Sequence, residues 1–178
     1  MKLENENKIE EILRQMTLEE KVAQIDILRG VEYATVPSTL NHCCIHESSD
    51  VEYEKFEKTV GDHGIGFIHD SYTIPAVFNK FQKYLVEKTR LGIPCIFTGE
   101  ALHGISFPGA TIFPVPLGLS TSWNMDLIEK VARVSAREAT ASGVNWVFSP
   151  MVDIARDARW GRVVEGAGED PYLGGEIA

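Results

Sequence analysis

The spacing of apolar and polar residues predicts two helices near the start of the chain. Thr17 and Glu20 have the spacing of a capping box, and apolar residues then recur at helical intervals, so the segment 16–28 is predicted to be helical. Residues 8–15 follow the same period. Residues 30–60 mix Pro, Ser, Asn and Asp without any period, which predicts an irregular insertion.

Beyond this insertion, strand-like and helix-like segments alternate. Short apolar runs at 64–69, 95–99 and 144–154 are predicted strands, and the last is apolar enough to be buried on both faces. Between them, Pro75 begins one predicted helix and Asn124 caps another. The alternation predicts an α/β fold with a parallel sheet, which is either an open sheet or part of an eight-stranded β/α barrel.

Polar residues concentrate after the second and third predicted strands, in TGEALHG (98–104) and DIARDARWGRVVEGAGEDP (153–171). Ligands of parallel α/β folds bind past the carboxyl ends of the strands. Carboxylates and guanidinium groups can pair with sugar hydroxyls, and an indole can cover the apolar face of a pyranose. The residues alone leave two interpretations open: a sugar site, or a surface salt-bridge network that orders the loop.

Composition narrows the classes of partner and location. The 178 residues, 44% of them hydrophobic, suffice for one domain, and 17 basic against 26 acidic residues give a net charge of −9. This charge disfavours nucleic acid and anionic membrane surfaces, whereas a neutral sugar fits. Without a long apolar run or an apolar, basic start, a cytoplasmic location is expected, with Cys43, Cys44 and Cys95 as reduced thiols.

Metal and nucleotide chemistry find little support in the sequence. Glu100 and His103 have the spacing of a helical di-iron ligand pair, but glycines flank them and no second copy exists. His42 to His46, with two adjacent cysteines between them, does not match the usual zinc spacings. No phosphate-binding glycine motif opens a helix either, so nucleotide binding has no support.

Five segments together resemble one enzyme family. They are MTLEEKVAQI, RLGIPCIFTGEALHG, GATIFPVPLGLSTSWN, FSPMVDIARDARWGR and EGAGEDPYLGG. In order and spacing they are similar to glycoside hydrolase family 3, in its β-glucosidase and β-xylosidase branch. The resemblance implies that 1–178 is the N-terminal portion of the family's barrel domain, a partial (β/α)8 TIM-type barrel with about the first three β/α units. It also implies retaining hydrolysis by two carboxylates without a cofactor.

The resemblance assigns roles to single residues. Glu100 matches the acidic residue that hydrogen-bonds hydroxyls of the sugar in the −1 subsite, and Arg162 matches a second contact with that sugar. Four further residues match positions that support the pocket rather than touch sugar: His103, Arg159, Trp160 and Glu165. Glu169 and Asp170, like Glu165, match positions that order the loop.

Neither catalytic carboxylate of the family matches a residue of 1–178. The nucleophile is an Asp on a later barrel strand, and the general acid/base comes from a downstream region, so the isolated chain is expected to be inactive. The expected function is part of the −1 subsite of a hydrolase of β-linked glucosides or xylosides, completed by a C-terminal remainder. The alternative is a non-catalytic sugar-binding or assembly module. An open barrel edge also favours self-association.

Overall fold

The computed structural model describes residues 2–35, 50–71, 74–107 and 109–178. The chain divides into two compact units, unit 1 (1–97) and unit 2 (98–178). Within the described ranges, no helix combines the length and the apolar character that crossing a membrane requires.

Unit 1 alternates helices and strands. Its elements are α1 (Lys2–Gln15), α2 (Leu18–Ala23), β1 (Ile27–Arg29), α3 (Tyr53–Val60), β2 (Phe67–His69), α4 (Pro75–Lys88) and the start of β3 (Ile96–Gly99). β1 and β2 are parallel, with Ile27 opposite Phe67, and the Ile96 amide donates to the Gly66 carbonyl at 2.8 Å. A parallel pair of strands therefore forms the sheet of this unit, and β3 begins beside it.

The predicted capping box is present, but the predicted helix 16–28 is wrong in its second half. α2 ends at Ala23, and residues 27–29 form the strand β1 instead. The Gly66 amide donates to the Ala23 carbonyl at 2.8 Å, so the chain preceding β2 ends the helix from outside. Pairing with β2 then overrides the helical period, because tertiary context outweighs local propensity.

Glu20 of the capping box also ties α2 to the end of α4. The Arg90 guanidinium donates to both Glu20 carboxylate oxygens, at 2.6 and 2.5 Å, and to the Gln15 carbonyl at 2.8 Å. The hydrogen bonds from Arg90 and from the Thr17 amide lower the pKa of the buried Glu20 carboxyl from 4.5 to about 2. The ionised carboxylate thus stabilises this corner of unit 1.

The expectation that residues 30–60 are irregular is wrong for their last part, because Tyr53–Val60 forms α3. Residues 36–49 lie outside the described residues. α3 buries Phe56, whose ring lies edge-on to Tyr33, Phe81 and Tyr84 with centroid distances of 5.7, 4.9 and 5.3 Å. These aromatic contacts form the centre of the core of unit 1.

Unit 2 continues the scheme. It contains the end of β3, α5 (Pro116–Ser120), α6 (Met125–Ser142), β4 (Trp146–Val147), a 3-10 turn (Val163–Glu165) and α7 (Pro171–Ile177). Thr98 and Gly99 pair in parallel with Trp146 and Val147. The predicted parallel α/β class is confirmed, and the described residues contain four strands where the pattern predicts three.

The predicted start of the helix before β4 is confirmed, whereas the predicted length of the strand is wrong. Asn124 caps α6 as predicted, its side chain accepting from the Leu127 amide at 3.0 Å. β4 is much shorter than the predicted 144–154, and four large apolar residues in this segment are exposed: Trp146, Phe148, Val152 and Ile154. The prediction of a strand buried on both faces is wrong in unit 2, because these exposed side chains leave the segment open to solvent.

Candidate functional site

The candidate site lies in unit 2, just after β3 and β4. Glu100 directly follows β3, and its carbonyl accepts from the Ser106 amide at 3.1 Å, which closes the first loop, 100–106. The segment after β4 meets a later part of the second loop, 153–171, since Met151 bridges to Gly166 and the Ala155 amide donates to the Gly168 carbonyl at 3.0 Å. This folding brings the turn that carries Arg162 back beside the end of β4.

Arg162 and Glu165 form a forked ion pair at this turn. Nε of Arg162 donates to the two carboxylate oxygens of Glu165 at 3.0 and 2.9 Å, and Nη2 donates to Oε2 at 2.6 Å. The Arg162 hydrogen bonds lower the pKa of the Glu165 carboxyl, so this group stays ionised. The pairing restricts the orientation of the guanidinium, as bidentate geometry does.

Two more carboxylates act on Arg162. The hydrogen bond with Glu165 is the main cause that raises the pKa of the Arg162 guanidinium, and the negative charges of Glu165, Glu100 and Asp153 raise it further. Glu165 is therefore hydrogen-bonded to Arg162, and the charges of Glu100 and Asp153 lie within electrostatic reach of it. The excess of carboxylates repels anionic ligands, while acceptors beside a fixed guanidinium donor suit the hydroxyls of a neutral ligand.

The other predicted pocket residues have different surroundings. The His103 side chain is exposed, and its carbonyl accepts from the Phe113 amide at 2.7 Å. The Trp160 amide donates to the Asp157 carbonyl at 3.0 Å. The Arg159 side chain, 91% exposed, pairs with Asp157 at 2.6 Å rather than with the Arg162 pair. These contacts hold the two loops, and the supporting roles of all three residues stay predictions.

The acidic residues at the end of the second loop hold local structure. The Asp170 side chain caps α7 by accepting from the Tyr172 amide at 2.8 Å and the Leu173 amide at 3.4 Å. Glu169 is exposed. Asp170 thus serves the helix N-terminus, as its negative charge and acceptor oxygens favour.

Asp153 is the residue at this site that the sequence-based selection of contacts missed. The signal in the sequence is that Asp153 begins the polar stretch 153–171. Only the return of this stretch toward the end of β4 puts Asp153 within electrostatic reach of Arg162.

The described residues offer neither a metal site nor a reactive thiol beside this cluster. Across the described ranges, no three His, Cys, Asp or Glu side chains lie where they could hold a metal ion together. His42, Cys43, Cys44 and His46 lie outside those ranges, so the expectation about them stays a prediction. Cys95 is a free thiol, and burial raises its pKa to about 12, which keeps it protonated.

Comparison with known proteins decides the family. The model of the glycosyl hydrolase family 3 N terminal domain matches residues 17–178. The chain belongs to glycosyl hydrolase family 3. This membership confirms the resemblance that the five sequence segments indicate.

Relatives within family 3 are glucosidases and xylosidases by name. The chain is 34% identical over 165 residues to a periplasmic beta-glucosidase of Salmonella typhimurium, covering 93% of this chain and 19% of that protein. It is 36% identical over 177 residues to a putative beta-xylosidase of Formosa agariphila, covering 94% of this chain and 22% of that protein. The chain thus spans about a fifth of the length of these relatives.

The fold is shared with family 3 enzymes of known structure. A beta-glucosidase from Listeria innocua matches with a TM-score of 0.75 and 33% identity, covering 96% of this chain and 22% of that chain. One from Erythrobacter marinus matches with a TM-score of 0.76 and 29% identity, over 93% of this chain. Together with the parallel strands, these matches confirm the predicted partial barrel class.

Proposed function

We propose that residues 1–178 supply part of the −1 sugar subsite of a retaining O-glycosyl hydrolase that acts on β-linked glucosides or xylosides. The observation that carries the proposal is the forked Arg162–Glu165 pair on the turn beside the end of β4, with the charges of Glu100 and Asp153 within electrostatic reach of Arg162. Ligand sites of parallel α/β folds lie at this end of the strands. The names of the family relatives, β-glucosidases and β-xylosidases, supply the class of substrate.

In this proposal the chain positions the sugar and leaves the chemical step to residues outside 1–178. Arg162, held by Glu165, donates to sugar hydroxyls, and Glu100 accepts from them. Retention requires a nucleophilic carboxylate and an acid/base about 5 to 5.5 Å apart. Glu165 is committed to Arg162 and Asp170 to its helix cap. Positioning without a nucleophile leaves the barrier high, so the isolated chain is expected to be inactive.

A chimera tests the proposal with a matched control. Residues 1–178 replace the matching segment of the Listeria innocua β-glucosidase, and hydrolysis of nitrophenyl β-glucoside and β-xyloside is measured. Arg133 is the control, because its guanidinium also forks onto a carboxylate, Glu129, at 3.0 and 2.5 Å, but on the helix α6. In an active chimera, Arg162→Ala is expected to lower kcat/KM by about tenfold or more, and Arg133→Ala by less than about twofold.

The outcomes separate the interpretations. Equal kinetics of the Arg162→Ala and Arg133→Ala chimeras would refute the assignment of Arg162. Hydrolysis by the isolated chain, abolished by Glu165→Gln or Asp170→Asn, would show that the catalytic carboxylates lie within 1–178. An inactive chimera that still binds glucose would favour the alternative of a non-catalytic sugar-binding module.

Two further properties belong to this proposal. Trp146, Phe148, Val152 and Ile154 are exposed apolar side chains, which self-association or a C-terminal remainder of the enzyme would cover. Light scattering tests self-association, which Trp146→Glu is expected to abolish.

The cytoplasmic location is tested by cell fractionation, and recovery in the periplasm, the compartment named for the Salmonella relative, would refute it.

A further inference from the structure

A second polar cluster lies in unit 1, at the carboxyl ends of β1 and β2. Arg29 and His69 are the last residues of these strands and stand opposite each other in the parallel ladder. Nε2 of His69 lies 2.8 Å from Oδ1 of Asp70, and Nη2 of Arg29 lies 3.9 Å from Oδ2 of Asp70. The His69 and Asp70 side chains are largely buried, whereas Arg29 is half exposed. The cluster therefore faces solvent through Arg29.

The backbone that holds Asp70 is in an uncommon conformation. Asp70 has a φ of 49°, in the left-handed region that few residues other than glycine adopt. The Asp70 carbonyl accepts from the Val31 amide at 3.1 Å, which fixes the chain after β2 against the chain after β1. Such strained residues cluster at ligand sites, where the surrounding structure maintains them.

The next residue adds an independent sign of a ligand. The Ser71 side chain is buried, and its Oγ has no hydrogen-bond partner among the described residues. Gly30 makes room for it, because a Cβ on Gly30 would lie 2.0 Å from this oxygen. A buried hydroxyl without a partner among the described residues calls for an explanation, and a polar ligand or a bridging water supplies one.

The geometry of the Arg29 pair differs from that of the forked ion pairs in this chain. Arg90 with Glu20, and Arg162 with Glu165, are forked hydrogen-bonded pairs. The 3.9 Å separation of Arg29 from Asp70 is too long for a hydrogen bond. The Arg29 guanidinium consequently makes no hydrogen bond to the Asp70 carboxylate and can donate to a ligand.

We propose that Arg29, His69 and Asp70 form a hydroxyl-binding subsite for a neutral sugar unit, additional to the contacts at Glu100 and Arg162. The class of ligand rests on the proposed function. Arg29 offers donors and the Asp70 carboxylate offers acceptors, while the His69 ring lies against that carboxylate. Because the charges of Arg29 and Asp70 compensate each other, the cluster suits an uncharged polyol better than a phosphate or a carboxylate.

The test is a titration of the 15N-labelled 178-residue chain with cellobiose and, separately, with D-glucose, followed by amide chemical shifts. Saturable shifts are expected at Val31 and at residues 69–71. Arg29→Gln and Asp70→Asn should each weaken this response at least about fivefold, as loss of one charged hydrogen bond implies. Asn tolerates the left-handed conformation, so Asp70→Asn removes the charge and keeps the backbone.

The matched control is Arg14→Gln. Arg14 is an exposed arginine whose Nη2 lies 3.7 Å from a carboxylate oxygen of Glu10, a separation close to that of the Arg29 pair. Arg14→Gln should leave the response at 69–71 unchanged.

The outcomes distinguish this inference from the proposed function. Shifts at 100–104 and 160–166 with none at 69–71 would overturn the subsite and leave the proposed function standing. Shifts at 69–71 alone would support the subsite and count against the proposed function. Shifts at 69–71 that Arg29→Gln and Asp70→Asn do not alter, in variants whose spectra keep the wild-type dispersion, would overturn the subsite. Shifts in neither region would overturn the subsite, and the chimera would then decide the proposed function.

Discussion

Truncation of Phe56 tests the part of the fold that departs furthest from the sequence pattern. Phe56 lies on α3, within residues predicted to be irregular, and its side chain is completely buried. Its ring contacts those of Tyr33, Phe81 and Tyr84 at centroid distances from 4.9 to 5.7 Å. Phe56→Ala should therefore open a cavity surrounded by aromatic rings.

The magnitude follows from these surroundings. Phe→Ala substitutions in cores cost about 3 to 5 kcal/mol in the free energy of unfolding, more where the site cannot collapse. Phe81 and Tyr84 belong to α4, so their rings cannot move far into the space without disturbing the helix. We expect the upper half of that range, about 4 to 5 kcal/mol, which is a large share of the roughly 5 to 15 kcal/mol that stabilises most domains.

The assay is urea unfolding followed by circular dichroism at 222 nm, with Tyr53→Ala as the control on the same helix. Tyr53 is 41% exposed, and its ring contacts only that of Tyr84, at 6.4 Å, among the described rings. Its truncation should cost about 1 kcal/mol or less. If Phe56→Ala and Tyr53→Ala lower the free energy of unfolding equally, α3 does not contribute the core that the structure shows.

Two other predictions concern a buried charge and a crowded glycine. Since the pKa of Glu20 is lowered from 4.5 to about 2, its stabilisation is complete above pH 4.5 and is lost as the pH falls toward 2. Glu20→Gln should reduce the change of the urea midpoint with pH across this window. Glu10→Gln, at an exposed helix position, should leave that change as it is. A Cβ on Gly104, at a φ of 104°, would lie 2.1 Å from a carbonyl oxygen across the loop, whereas one on Gly109, at 81°, would meet nothing within 4 Å. Gly109→Ala should lower the free energy of unfolding by about 1 to 3 kcal/mol through backbone strain alone, and Gly104→Ala should lower it further. Equal urea midpoints for the two variants would contradict the crowding at Gly104.

Local signals in the sequence determined those elements whose causes are local. The capping box at Thr17, the helix start at Pro75 and the cap at Asn124 occur as predicted, because each depends on contacts within a few residues. The five family segments identified family 3, and with it the candidate contacts Glu100 and Arg162. Those two roles stay predictions until sugar binding is measured.

Tertiary structure decided what depends on partners distant in the chain. Residues 27–29 became a strand because β2 offers them a parallel neighbour, against their helical period. Only this pairing brings Arg29 opposite His69, so no local pattern in the sequence indicates the cluster of Arg29, His69 and Asp70. In the same way, the return of the second loop puts Asp153 within electrostatic reach of Arg162. Hydrophobic period encodes which face of an element is apolar, but the neighbour that covers that face is fixed only when the chain folds.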